Sequence, residues 1–174
     1  MLETERLIIR LGKKEDVLKL LEIRNSSFVM KYNPMKIANE EALLKEISHE
    51  FVLERKNDHK IIGCIGVQND FLRYGVESKC ISYYLDEKET RKGYMSEGLS
   101  KVLSYLFDEG AEVVCARVFV GNEASVSLLK KLGFHQEGIL RHAVKSHDGI
   151  VYDDQLFSLL KQEWNKKNIR RKLP

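Results

Sequence analysis

Long apolar runs are missing from this chain. No window approaches the roughly 18 apolar residues of a membrane-spanning helix, so no span is expected. Met1 to Arg6 holds two acids and no apolar run, so no signal peptide is expected either. Cysteine is scarce. Cys64, Cys80 and Cys115 are odd in number and scattered, which argues against a disulfide framework or a cysteine metal motif. They read as reduced thiols of a cytoplasmic protein. His135, His142 and His147 lack metal-ligand spacing, so no metal site is expected. Pro34 and Pro174 are the two prolines, and neither marks a linker. Internal repeats and low-complexity segments are absent. So is a Gly-Lys-Ser/Thr triplet, and no second and third glycine fall at dinucleotide-binding spacing around Gly93. A large surplus of one charge is also lacking. The net charge of +3 suits anionic ligands but is too small to argue for nucleic acid. The basic tail 161–174 carries no interleaved aromatics and reads as a solvated helix end.

What is present is the composition of a folded domain. The chain has 174 residues, 43% hydrophobic and 32% charged, enough for one domain over 1–174 with its own core. Its organising stretch runs from Ser82 to Gly110. Ile81, Tyr83 and Leu85 alternate as a strand does. A charged loop with Gly93 follows. Leu99, Val102, Leu103, Leu106 and Phe107 then recur at helical spacing, with Gly110 at the C-terminal cap position. A strand, a glycine loop and a helix N-terminus together make an anion site from open amides and the helix dipole. Arg91 and Lys92 add positive charge beside it.

Around this unit the periodicity predicts a strand at 6–11 and a helix at 14–24. An irregular stretch at 25–39 follows, in which Phe28, Met30, Tyr32 and Met35 wall a pocket or pack under a loop. A second helix runs from Asn39 towards Phe51, then a strand hairpin at 51–55 and 60–68. After the central unit come a strand at 113–120, a helix at 122–132 closed by Gly133, and strands at 135–144 and 151–160.

Four segments in this order resemble one family. Thr4-Glu5-Arg6-Leu7-Ile8-Ile9-Arg10 is similar to the opening of GCN5-related N-acetyltransferases of the ribosomal-protein-alanine type. Ser82 to Leu85 with Arg91-Lys92-Gly93-Tyr94-Met95-Ser96-Glu97-Gly98-Leu99 resembles that family's acetyl-CoA pyrophosphate loop. Asn122 to Ser125, with Leu129 to Phe134, resembles its second CoA motif, and 153–164 its closing strand. The resemblance implies a single α/β domain with a mixed, mostly antiparallel seven-stranded sheet. About four helices flank it, and the fourth and fifth strands splay. There are departures. Thr90 stands where the family's loop has Gln or Arg, and Met95 where it has a small residue. Leu129 occupies the position of a general-acid Tyr used by many members, and Val144 that of a Glu base used by some.

The resemblance further implies acetyl transfer from acetyl-CoA directly to an amine. Main-chain groups of Tyr83, Tyr84 and Leu85 would hold the pantetheine and thioester. Arg91, Lys92, Gly93, Tyr94, Met95 and Ser96 would hold the pyrophosphate. Asn122 would fix the pantetheine arm, or act as a plain helix cap. Ser125 would donate to the sulfur, with Asn122 and Tyr84 completing the catalytic set. Lys130 would meet the 3′-phosphate, or face solvent. The expected acceptor is a peptide N-terminal α-amine. The alternatives are a small amine such as a polyamine or aminoglycoside, and a CoA-binding regulator without turnover. Homodimerisation is left open.

Overall fold

The computed structural model describes residues 1–32 and 37–172, with side chains through Lys166. Met35 of the suggested pocket wall lies outside the described residues. Among the described residues, eight strands form one sheet: β1 (Leu2–Glu3), β2 (Leu7–Leu11), β3 (Glu50–Arg55), β4 (Ile61–Asn69), β5 (Ser78–Leu85), β6 (Val113–Phe119), β7 (His135–Lys145) and β8 (Val151–Leu160). Their order is β1-β2-β3-β4-β5-β6-β8-β7. Every neighbouring pair is antiparallel except β5 and β6. The expected seven strands become eight because Leu2 and Glu3 pair with Ile9 and Ile8. A two-residue strand is too short to show a period.

Six α-helices among the described residues accompany the sheet: α1 (Val17–Arg24), α2 (Ser27–Met30), α3 (Glu40–Ile47), α4 (Tyr94–Asp108), α5 (Glu123–Leu132) and α6 (Lys161–Lys172). The four expected helices are α1, α3, α4 and α5. The second helix ends at Ile47, short of Phe51, which lies on β3 as the strand reading from 51 has it. The predicted apolar stripe of α4, from Leu99 to Phe107, is buried against β2, β3, β4 and β6. Val126, Leu129 and Leu132 of α5 join the same layer. Val17 and Leu20 of α1 with Leu43 and Ile47 of α3 cover the other face, against Val52 and Cys64. Ile62, Cys64 and Ile65 of β4 are buried, as a strand covered on both faces requires.

One register feature positions the site. β5 and β6 pair from Ser78↔Val113 to Ile81↔Ala116, and the ladder then stops. β5 continues to Leu85 paired with β4 alone, and β6 continues to Phe119 paired with β8 alone. The two strands therefore part after Ile81 and Ala116. Main-chain groups that would have completed this ladder face the gap without a strand partner.

The C-terminal helix is anchored and is not simply a solvated end. Trp164 is 3% exposed, lies 6.4 Å from the Phe107 ring, and donates from Nε1 to Ser104 Oγ at 3.3 Å. Glu163 accepts from the Leu160 amide at 3.0 Å, which ties the helix start to β8. Trp164→Ala is expected to cost about 3–5 kcal/mol of stability. Urea unfolding measures this, and an unchanged midpoint would show that α6 contributes nothing to the core.

Candidate active site

The N-terminus of α4 begins at Gly93, which has φ +84. A residue with a Cβ adopts this left-handed conformation only with strain. No side chain caps this end. The Tyr94, Met95 and Ser96 amides therefore have no helical acceptor, and the helix dipole makes the end positive. Arg91 is also left-handed, at φ +59. The alternation of hand through Arg91, Lys92 and Gly93 gathers successive amides, as anion-binding nests do. Met95 is 7% exposed and sits in the core, so the family's small residue is replaced without crowding the loop. Lys92 Nζ pairs with Glu89 at 3.0 Å.

The loop is held from a distant part of the chain. Thr4 Oγ1 donates to Glu97 Oε1 at 2.5 Å, and the Arg6 amide donates to the same oxygen at 3.0 Å. Arg6 Nη2 lies 2.6 Å from Glu97 Oε2, and Arg6 Nη1 donates to the Lys92 carbonyl at 3.0 Å. Its guanidinium carbon rests 4.5 Å above the Tyr94 ring. The strand opening and the first turn of α4 thus form one clamp around Lys92 and Gly93.

Burial would raise the Glu97 carboxyl, but hydrogen bonds from Thr4 and Arg6 outweigh it and hold the group below its ordinary value. A depressed folded-state value means stability that is present above the unfolded-state value of 4.5 and is lost as pH falls through the folded one.

On the side of the gap that faces α5, Asn122 caps that helix by accepting from the Ser125 amide at 3.2 Å. The plain capping role is therefore real, and it leaves the Asn122 amide nitrogen for a ligand. Tyr83, not Tyr84, stands beside Ser125. Burial pushes the Tyr83 hydroxyl up to about 12, while Ser125 pulls it the other way without a formed hydrogen bond. The Tyr83 hydroxyl is buried and has no partner among the described residues. Tyr84 points to the opposite face, beside Cys64, and burial pushes its hydroxyl up strongly. Leu129 is fully buried and Val144 lies on β7, so neither position offers a proton-transfer group. Lys130 is exposed in the last turn of α5, about 7.5 Å along the axis from Ser125.

A cavity of 280 Å³ lies nearby, lined by Asp70, Arg73, Cys80, Cys115, Arg117 and Glu137 among others. Its charges are matched: Arg73 pairs with Asp70 at 2.7 Å, and Arg117 with Asp154 at 2.6 Å. Arg73 also donates to Cys115 Sγ at 2.7 Å. Burial raises the Cys115 thiol to about 12, so this cysteine is a poor nucleophile. No cluster of metal-binding side chains occurs among the described residues, and no described helix is long and apolar enough to cross a membrane.

Parallel strands that part beside an uncapped helix N-terminus offer unpaired main chain and an anion site in one place. The family model of the acetyltransferase (GNAT) domain matches residues 6–135. The chain belongs to this family and is an N-acetyltransferase. It is 31% identical over 176 residues to YoaA of Bacillus subtilis, an uncharacterized N-acetyltransferase, covering 92% of this chain and 97% of that one. A ribosomal-protein-alanine acetyltransferase from Vibrio fischeri superposes with TM-score 0.80 at 24% identity, over 93% of this chain and 97% of that one. A spermidine N-acetyltransferase from Vibrio cholerae, solved with CoA and spermine, gives TM-score 0.79 at 21% identity, over 93% and 99%.

Glu97→Ala should free the Lys92–Gly93 loop and weaken CoA binding roughly tenfold, about 1.4 kcal/mol. Calorimetry measures this. In urea unfolding, the stability advantage of wild type over Glu97→Gln should shrink between pH 6 and pH 3.5. Parallel loss in both proteins would contradict the clamp.

Proposed function

We propose that residues 1–174 act as one domain that moves an acetyl group from acetyl-CoA directly to a primary amine, with a protein or peptide N-terminal α-amine as the acceptor. The observation that carries the first half is the gap after Ile81 and Ala116 beside the uncapped start of α4. Pyrophosphate suits the amides of Tyr94, Met95 and Ser96, with Arg91 and Lys92 adding charge. The pantetheine amides suit the unpaired main chain of Tyr83 to Leu85, much as an added strand would. Asn122 fixes the arm of the cofactor and Lys130 meets the 3′-phosphate. Ser125, with the unpartnered Tyr83 hydroxyl beside it, returns a proton to the departing sulfur. Tyr84 contributes main chain to the gap, and its side chain belongs to the acceptor side.

The acceptor follows from what transfer requires. A lysine or polyamine amine titrates near ~10.4, so about one molecule in two thousand is neutral at pH 7. A peptide α-amine titrates near ~8, so roughly one in ten is neutral. Leu129 and Val144 leave the α5 and β7 positions without a proton-transfer group, and an amine that is already partly neutral needs the least help from any other. The sequence resemblance to ribosomal-protein-alanine enzymes points the same way. A polyamine is the second reading. It is favoured by the carboxylates of Glu46 and Glu50 on the sheet face opposite α4.

Comparing kcat/KM for short peptides with free N-termini, spermidine and Nα-blocked lysine peptides tests the acceptor. The free-N-terminus peptides are expected to lead by tenfold or more. A tenfold lead for either other class would overturn this choice while leaving acetyl transfer intact.

A further inference from the structure

Acetyl transfer needs a group that takes the proton from the attacking amine, and the Leu129 and Val144 positions do not supply it. The face opposite α4 does. Glu50 of β3, Gly66 of β4 and Ser82 of β5 lie in one cross-strand row, as the pairs Glu50↔Gly66 and Gly66↔Ser82 show. Gly66 has no side chain, and its neighbours lean over it. A Cβ built there would lie 2.7 Å from Ser82 Oγ and 3.1 Å from Glu50 Oε1. The missing side chain is what lets the Glu50 carboxylate lie over β4, in the space that Ser82 of β5 leans into from the other side. Ser82 is exposed and is the first β5 residue beyond the last β5–β6 pair. The carboxylate thus lies over Gly66, on the same face as Ser82, the residue at which the β5–β6 ladder has ended.

The surroundings of Glu50 suit a working group better than a structural ion pair. Its Oε2 accepts from the Cys64 thiol at 3.2 Å, a weak donor. Arg24 of α1 is turned to Glu46 of α3, at 2.7 Å, and acts on Glu50 as a more distant charge. Tyr84 of β5 is the fourth group facing it, and its buried hydroxyl has no hydrogen-bond partner among the described residues. Ser125 and Tyr83 lie on the other face of the sheet. Ser125 and Glu50 thus lie on opposite faces of the sheet, on either side of the strand that borders the gap.

We propose that Glu50 is the general base of the reaction, acting directly or through one water held by Ser82. The amine gives its proton to the Glu50 carboxylate as its nitrogen bonds to the thioester carbonyl carbon. The carbon–sulfur bond then breaks, and the sulfur takes a proton from the Ser125 side. This rests on the acetyl-transfer reading and assigns the acceptor to the face of α1 and α3.

The test uses the full chain, acetyl-CoA and whichever amine of the panel the wild type prefers. Glu50→Gln keeps shape and hydrogen bonding but cannot take a proton. It is expected to lower kcat about 10²-fold. Its CoA affinity should stay within about twofold of wild type, which also shows that it folds. Its deficit should shrink as pH rises from 7 to 9, because the free amine then no longer depends on the protein for deprotonation. Glu50→Asp should recover part of the loss. Wild-type kcat and pH profile in Glu50→Gln would overturn the proposal, as would a deficit independent of pH. A wild type that prefers spermidine overturns the peptide reading alone, with Glu50 then tested on spermidine. A wild type that acetylates no amine overturns both.

Discussion

The structure depends on one interrupted ladder. Parallel strands β5 and β6 begin in register and lose each other after Ile81 and Ala116. Each keeps its other neighbour, so the sheet stays whole while a wedge opens within it. Unpaired main-chain groups are costly in a protein interior and become useful only where a ligand satisfies them. In the proposed mechanism, Ser125 on the α5 face and Glu50 on the α1 and α3 face act from opposite sides of the sheet.

The helix after the wedge depends on it. α4 starts at an uncapped glycine, so its positive end is open towards the gap. Buried residues from Leu99 to Phe107 fix the helix to the sheet, and the Thr4–Arg6–Glu97 clamp fixes its first turn. In the proposed binding mode the pyrophosphate and the thioester are held by the same rigid body. Distance between the pyrophosphate and the reacting carbon is then a property of the fold, which is how an enzyme with few reactive side chains accelerates transfer.

Much of this was legible in the sequence. Period-two and helical patterns give β5, α4, β6 and α5 within a residue or two, and Gly93 marks the left-handed start of α4. The rest was hidden for physical reasons. Alternation separates Tyr83 from Tyr84, but only the packing of α5 tells which of them meets Ser125. The clamp joins residues 91 apart in sequence, and pattern reading within a window cannot see it. Glu50 is the strongest case. Its position arises from residues 50, 66 and 82 on three strands, and the informative residue between them is a glycine, which carries no side chain to notice. Trp164 shows the reverse error, because a strongly basic tail conceals one buried anchor.

The most direct measurement is a crystal structure of this chain with CoA. The pyrophosphate is expected against the amides of residues 94–96 and the pantetheine arm between 82–85 and 117–119, with the sulfur within reach of Ser125. CoA bound instead in the cavity of Arg73 and Cys115, with the wedge closed by side chains, would contradict this placement.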